Sequence, residues 1–369
     1  MRKYKLRELL TIKNGCDYRH LSTGSVPVYG SGGFMCFVNQ AMSNKPSILL
    51  PRKGTLNNIM FIDKPFWTVD TMYWSEIKED IVEPYYLYNY LKVLKFDGIR
   101  TGSTLPSMTS SAYYDIPVIL PDYNKQTRVA NILKLLNNKI ELNNKINQEL
   151  EQMAKTLYEY WFVQFDFPDE KGRPYKSANG KMVYNEVLKR EIPEGWEVIK
   201  FDDIVEQAPK LKAIKAPEYK NQGNIPIVDQ ASTLITGRTD DTSYYYENER
   251  NCVVFGDVTT CFKFINFPFA KGTDGTKIIN ARNDRIPAVL LYQLLKNTKL
   301  PNIGFARHYM FLREIKLLLP PKDICVKYYQ ATKGIMDLIA KNIKENYELS
   351  ITRDFLLPLL MNGQVSIQG

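Results

Sequence analysis

The strongest constraint on the fold is a long helical segment that occurs twice in the chain. Residues 122–161 contain neither glycine nor proline, and their apolar side chains recur with the alternating four- and three-residue spacing of a coiled coil. The pattern returns in residues 321–360, where Glu348 and Leu349 repeat the Glu149 and Leu150 pair of the first copy. At about 1.5 Å per residue, each predicted helix is roughly 60 Å long.

Two asparagines interrupt the apolar seam of each predicted helix, Asn143 and Asn147 in the first and Asn342 and Asn346 in the second. An asparagine buried in such a seam lowers stability but specifies register and partner. If the helices pack antiparallel, their middles meet, and Asn143 and Asn147 face Asn346 and Asn342. The alternative is that all four are surface residues on two unrelated helices.

The segments that precede the two helices also correspond. "IPVILP" (residues 116–121) and "IKLLLP" (residues 315–320) each predict a buried strand that ends at proline. We therefore predict an α+β fold, with two pseudo-symmetric β-rich domains joined by two long antiparallel coiled-coil helices. The predicted segments are the first β-rich domain at 1–121, the central helix at 122–162, a polar linker at 163–195, the second β-rich domain at 196–320, the distal helix at 321–361 and a C-terminal tail at 362–369.

The charge balance favours a polyanionic partner. The chain has 49 lysines and arginines against 40 aspartates and glutamates, a net charge of +9, and nucleic acid is the commonest partner of such a protein. The alternative is a soluble protein that is basic but has no polyanionic partner. We expect no membrane span, because no run of about 18 apolar residues occurs, and no secretory signal. Five scattered cysteines favour the reducing cytoplasm.

Motifs for catalysis are weak or absent. "INFPF" (residues 265–269) is similar to a methyltransferase motif, but Phe267 stands where that motif has proline. The sequence contains no phosphate-binding loop of the type G-x-x-x-x-G-K-[ST], and its two histidines leave little room for general base chemistry. We also predict no metal site. These observations favour a chain that is not itself an enzyme.

A duplicated domain on an antiparallel helix pair suits a reader of two-part DNA sites. Such a pair places its two domains about a pseudo-twofold axis, and duplex DNA has a twofold axis at every base pair. The rival interpretation is a two-headed helical scaffold or adaptor that pairs two protein partners without reading DNA. The salt dependence of binding would separate the two interpretations.

The chain resembles the DNA-specificity subunits of type I restriction–modification systems. The resemblance covers almost the whole length and depends on the order of five segments, namely "GSTLPSMTSSAYYDIPVILP", "YNKQTRVANILKLLNNKIELN", "LYEYWFVQF", "IPEGWEVIKFDDI" and "RDFLLPLLMNGQV". It implies two target recognition domains, each of which reads one part of a bipartite, asymmetric DNA site. The second domain departs from the first, since it has "LPNIGFARHYMF" where the first has "RTGSTLPSMTS".

The resemblance also implies the partners and the location. The helices would set the spacer and dock two methyltransferase subunits, and endonuclease subunits, which also translocate DNA, would join that assembly. The chain would perform no chemistry and bind no cofactor, whereas S-adenosylmethionine, ATP and Mg²⁺ would bind to the partner subunits. The complex would work in the cytoplasm of a bacterium or archaeon.

Candidate DNA contacts lie in glycine-containing loops with cations and small polar residues, which suit phosphates and base edges. In the first domain these are Tyr29, Ser31, Arg52, Lys53, Thr55, Arg100, Thr101, Ser103 and Thr104. In the second domain they are Gln230, Ser232, Thr259, Lys263, Lys271, Lys277, Arg307, His308 and Tyr309. We expect Lys271 and Lys277 to project from a loop tip. For each loop the alternative is an ordinary turn.

Overall fold

The computed structural model describes residues 1–54, 56–94, 107–208, 210–282, 284–298, 300 and 307–365. The chain divides into two compact units. The first unit consists of Met1–Ile140 together with Glu348–Gly369, and the second unit consists of Glu141–Tyr347. Each long helix therefore contributes residues to both units.

The first unit is built from short strands, three short helices and parts of the two long ones. Its elements are β1 (Arg2–Lys5), α1 (Leu6–Leu9), β2 (Leu10–Asn14), β3 (Val26–Gly30), β4 (Gly33–Val38), β5 (Ser47–Pro51), β6 (Met60–Ile62), β7 (Trp67–Thr68), β8 (Met72–Ile77), α2 (Pro84–Val93), α3 (Ser110–Tyr114), β9 (Pro117–Leu120) and the beginning of α4 (Tyr123–Tyr158). Strand β5, "SILLP", is buried along its whole length and lies inside a sheet of order β2-β8-β5-β6.

The second unit repeats this plan with additions. It contains β10 (Met182–Asn185), β11 (Arg190–Pro193), β12 (Glu197–Lys200), α5 (Phe201–Ile204), β13 (Val205–Gln207), β14 (Ile225–Val228), β15 (Gly237–Thr239), β16 (Tyr245–Tyr246), β17 (Cys252–Gly256), β18 (Phe262–Ile265), β19 (Phe269–Lys271), β20 (Thr276–Ala281), α6 (Ala288–Lys296), α7 (Tyr309–Arg313), β21 (Lys316–Leu319) and most of α8 (Lys322–Met361).

The sheets of the two units have the same connectivity. The order β13-β20-β17-β18 in the second unit matches β2-β8-β5-β6 in the first, and the pair β12-β21 matches β1-β9. Strand β14 pairs antiparallel with β15 and parallel with β19, as β3 does with β4 and β7. The predicted α+β fold with two β-rich domains is confirmed.

The segment expected to be a polar linker, residues 163–195, is folded instead. Strands β10 and β11 form an antiparallel hairpin within it. Phe165 and Phe167 are buried and pack edge-on or tilted against Trp196, with ring centroids 5.4 Å apart in both cases. Several glycines and lysines of the segment lie in turns between these buried aromatic residues. The polar composition alone therefore predicted a linker where the chain is folded.

The four seam asparagines pair within the second unit. Asn342 Nδ2 donates to Asn147 Oδ1 at 2.8 Å, and Asn143 Nδ2 donates to Asn346 Oδ1 at 2.9 Å. The residue number rises along α4 as it falls along α8, so the helices are antiparallel, as predicted. Asn143, Asn147 and Asn342 are buried. That these pairs set the register stays a prediction.

Exchange of the buried pair Asn147 and Asn342 tests the strength of this contact. We expect Asn147→Leu alone to lower the free energy of unfolding by about 1–3 kcal/mol, because it leaves the Asn342 amide without its partner. The double variant Asn147→Leu with Asn342→Leu should recover the lost free energy of unfolding, because an apolar pair leaves no buried amide without a hydrogen-bond partner. Urea unfolding of the two single variants and the double variant measures the coupling. Strictly additive losses would contradict a direct pair.

Candidate nucleic-acid interface

Two loops of the first unit lie side by side. In the turn between β3 and β4, the Ser31 amide donates to Thr71 Oγ1 at 3.3 Å, and Asn58 Nδ2 donates to the Ser31 carbonyl at 2.9 Å. A Cβ placed on Gly54 would lie 3.1 Å from Ser31 Oγ, so the loop after β5 touches this turn. Gly54 has a φ of +87°, which favours glycine. The fold therefore brings together two of the loops predicted from the sequence.

The cations of these loops are available for a partner. The Arg52 amide donates to the Thr71 carbonyl at 2.8 Å, and the Met108 amide donates to the Arg52 carbonyl at 3.0 Å, which fixes the backbone and leaves the side chain free. The guanidinium lies 5.9 Å from the centre of the Tyr73 ring, and Lys53 is exposed. Among the residues that the structure describes, neither Arg52 nor Lys53 forms an ion pair.

Tyr29 lies at the end of β3, beside this loop pair. Its side chain is half-buried and packs edge-on against Phe34. A tyrosine hydroxyl is protonated and able to donate at neutral pH, and burial raises the pKa of the Tyr29 hydroxyl further. The other predicted contacts of the first domain lie outside the described residues, namely Thr55, Arg100, Thr101, Ser103 and Thr104.

Asp257 organises the corresponding loops of the second unit. Its amide donates to the Gly275 carbonyl at 2.8 Å, and its carbonyl accepts from the His308 amide at 2.8 Å. Its carboxylate accepts from the Tyr309 amide at 2.8 Å and lies 3.8 Å from Lys277 Nζ. The turn before β20 and the start of α7 are therefore both held by Asp257, a residue of the turn after β17 whose carboxylate is buried. The sequence could have suggested this role only through the position of Asp257, directly after a buried strand.

Gln230 connects two of these turns. Its carbonyl accepts from Thr259 Oγ1, and its side-chain Oε1 accepts from the Val258 amide at 3.4 Å. A Cβ on Gly275 would come within 2.4 Å of the same Oε1, so glycine is needed for this close approach. Thr259 itself is exposed at the rim of the turn.

The structure separates the remaining predicted residues into buried and exposed groups. Lys263 is buried, and its Nζ donates to the Asp229 carbonyl at 2.8 Å; burial lowers its pKa. His308 is buried, with Nδ1 3.1 Å from the Asp257 carbonyl. Lys271 and Lys277 lie in strands β19 and β20 and are half-buried, so they do not project from a loop tip as expected. Ser232 and Arg307 are exposed.

The described part of the chain lacks two further features. No helix there is long and apolar enough to cross a membrane. Within the same residues, no cluster of three or more histidine, cysteine, aspartate or glutamate side chains could hold a metal ion.

Comparison with known proteins identifies relatives along most of the chain. Residues 1–152 match the type I restriction modification DNA specificity domain. The chain is 25% identical over 352 residues to the type I restriction enzyme MjaIX specificity subunit of Methanocaldococcus jannaschii, which covers 88% of this chain and 78% of that protein. It is 22% identical over 367 residues to the type I restriction enzyme HindI specificity subunit of Haemophilus influenzae, which covers 79% of each.

A solved structure has the same fold. The S subunit of a type I restriction–modification system from M. genitalium superposes with a TM-score of 0.62 and 18% sequence identity. The match covers 97% of this chain and 95% of that one. At this level of identity the similarity establishes the fold.

Two lysine substitutions test which cations face a nucleic acid. Lys53→Gln removes an exposed, unpaired cation, and we expect the slope of log affinity against log salt to become shallower by about 0.9. Lys263→Met should leave that slope unchanged, because its ammonium is buried against Asp229. Fluorescence-anisotropy titrations with duplex DNA at several salt concentrations measure both slopes. An unchanged slope for Lys53→Gln would remove Lys53 from the interface.

Proposed function

Since this chain is a DNA-specificity subunit of the type I restriction–modification family, we propose that it reads a bipartite, asymmetric DNA site. Each unit reads one half of that site through the loops that follow its buried central strand. In the first unit this loop carries Arg52 and Lys53, and the adjoining turn between β3 and β4 carries Ser31. In the second unit the loop carries Thr259 and, near it, Arg307.

One observation carries the proposal of two different half-sites. Arg52 and Asp257 occupy matching places in the two units, directly after β5 and β17. The Arg52 amide donates to the Thr71 carbonyl just before β8, and the Asp257 amide donates to the Gly275 carbonyl just before β20. The two carbonyls accept from amides that precede a short helix, Met108 before α3 and His308 before α7. The backbone hydrogen bonds are the same in both units, but Arg52 is a half-exposed cation and Asp257 is a buried anion. Two loops with the same backbone and different side chains present different groups to DNA in the two halves of the site.

The expected partners are duplex DNA, two methyltransferase subunits, and endonuclease subunits that translocate DNA. Exposed apolar side chains on the long helices support protein partners, because such side chains on a soluble chain mark interaction surfaces. Leu135, Leu142 and Met153 on α4 and Phe355 on α8 are each more than half exposed, at 68%, 52%, 57% and 67%. In this scheme the chain itself performs no chemistry and binds no cofactor. S-adenosylmethionine, ATP and Mg²⁺ bind to the partners, in the cytoplasm of a bacterium or archaeon.

The rival function, a scaffold that pairs proteins and ignores DNA, is not favoured. A scaffold does not require unpaired cations such as Arg52 and Lys53 on the glycine-containing loops of its domains. Binding by a scaffold would also show little dependence on salt, whereas phosphate contacts impose a steep one.

Methylome sequencing tests the proposed function directly. A host that expresses the methyltransferase encoded beside this chain is compared with and without the chain. We expect one bipartite motif with a fixed gap to be methylated only when the chain is present. If an active methyltransferase gives no chain-dependent motif, the specificity function is refuted and the scaffold function is favoured.

The seam asparagines are expected to fix the gap between the two half-sites. In the double variant Asn143→Leu with Asn147→Leu, both cross-helix amide pairs are lost, so that the seam can slip in register, which the intact pairs prevent. We expect methylated sites with more than one gap length, while the bases of both half-sites stay unchanged. The same sequencing measures both properties, with Gln148→Leu, which replaces an exposed amide on α4, as the control. A single gap length in the double variant would contradict this role.

A further inference from the structure

The hairpin of β3 and β4 in the first unit is unusual for a surface element. From Gly24 to Asn44 the sequence contains no charged residue. Strand β4 lies at the edge of the sheet β4-β3-β7, yet Phe34 and Phe37 are 55% and 50% exposed. Edge strands are ordinarily protected by charge or proline, because their unpaired backbone invites association. An uncharged, aromatic edge therefore points to a partner that covers it.

A β-bulge places the two aromatic rings on one face of the hairpin. Residues three apart in a regular strand point to opposite faces. Here Tyr29 pairs with Phe34 and Val28 pairs with Cys36, so that Met35 has no partner. The extra residue turns Phe34 to the side of Phe37, and their ring centroids are 4.9 Å apart. Bulges commonly re-aim side chains in this way beside functional sites.

The tip of the hairpin leaves the rings accessible. A Cβ placed on Gly32 or Gly33 would meet no atom within 4 Å, and Gly33 has a φ of +112°. No side chain therefore shields the backbone that leads into Phe34. On the other side of the tip, Ser31 contacts Gly54, next to the exposed Lys53. The aromatic pair and the proposed phosphate-binding cation thus flank one turn.

We propose that Phe34 and Phe37 form an apolar wedge that stacks against bases of the first half-site. Lys53 and Arg52 would hold the phosphates beside the turn, and the rings would enter at an adjacent base step. Proteins that distort DNA use phenylalanine in this manner, and aromatic stacking tolerates any base. The absence of carboxylates from Gly24 to Asn44 suits close approach to a polyanion. This inference rests on the proposed function and specifies how the first unit engages DNA.

The second unit has no such wedge on its matching edge. There β15 (Gly237–Thr239) is the edge strand, and its Arg238 is buried with the guanidinium carbon 3.1 Å from the centre of the Tyr347 ring. The Tyr347 hydroxyl also donates to the Gly223 carbonyl at 2.8 Å. This edge is covered by α8 of the same chain. The wedge is therefore expected at one half-site only.

Fluorescence of 2-aminopurine tests the wedge. The full chain is expressed with its methyltransferase and bound to duplexes that carry the methylated motif, with 2-aminopurine at successive positions of each half-site. Unstacking of a base raises this fluorescence, so in addition to the rise at bases that the methyltransferase extrudes, we expect a rise at one further step of the first half-site. The double variant Phe34→Ala with Phe37→Ala should abolish that further rise and weaken binding on the order of 10-fold or more. Its salt dependence should equal that of the wild type, since no phosphate contact is lost.

Control variants separate the wedge from other roles. Met35→Ala, which removes an exposed apolar side chain of the same strand, should leave the rise and the affinity unchanged. Phe34→Leu with Phe37→Leu keeps an apolar wedge without aromatic rings, so it should retain the rise but bind more weakly than the wild type, which keeps the test valid even where the alanine variant fails to fold. If the alanine variant binds DNA with wild-type affinity, the wedge is refuted. The alanine variant could instead keep the fluorescence rise but lose the methyltransferase from the purified complex or change its oligomeric state. That result would assign the rings to a protein partner.

The failure of the wedge is distinguishable from that of the proposed function. If the wild-type complex binds motif and scrambled duplexes equally, both are refuted. If the wild-type complex prefers the motif and the alanine variant keeps that preference with the fluorescence rise, only the wedge is refuted.

Discussion

We expect the buried amide groups in the seam to hold the register of the two long helices. An apolar seam can shift by a heptad at little cost, because leucines are interchangeable along it. The Asn147 and Asn342 side chains cannot shift in this way, since each buried amide needs the other at 2.8 Å. Asn143 and Asn346 impose the same register one turn away.

A second constraint acts at the ends of the buried central strands. Strands β5 and β17 are buried along their whole length, so their pattern dictates where they end and where a loop must begin. Backbone hydrogen bonds then hold the first loop residue in both units. Since these bonds involve no side chain at Arg52, the frame tolerates substitution there. Asp257 shows the opposite outcome, because its carboxylate has become part of the frame through the Tyr309 amide.

The sequence predicted the elements that periodicity controls. The doubled helix, the antiparallel asparagine pairs and the matching strands before each helix all follow from spacing, which is a property of the chain alone. Individual site residues were harder to place. Lys263 lies between Phe262 and Phe264, and alternation predicts that a lysine flanked by two phenylalanines faces water. It is buried instead, because the Asp229 carbonyl accepts from its ammonium, and no local pattern reveals that partner.

His308 and the folded segment at residues 163–195 illustrate the same limit. The amide and Nδ1 of His308 both lie close to the Asp257 carbonyl, a contact across 51 residues of sequence. Phe165 and Phe167 become buried because Trp196 packs on them, although the segment around them is polar. In each case the side chain is buried because of a partner that is distant in sequence. The local composition gives no information about such a partner.

The two edge strands show how a duplicated frame acquires different surfaces. Both β4 and β15 are edge strands of their sheets, but the amide and carbonyl of Arg238 in β15 bond to Lys220, and an edge must avoid uncontrolled association. In the second unit Arg238 stacks on Tyr347, so the chain covers its own edge. In the first unit a bulge instead gathers Phe34 and Phe37 on the exposed side. The bulge interrupts the pairing of β3 with β4 at Met35 and leaves the pairs on either side of it in place. Divergence of this kind is what an asymmetric DNA site requires, since two identical heads would read two identical half-sites. The shared backbone therefore serves as the support, and the few side chains at strand ends and edges distinguish the two halves.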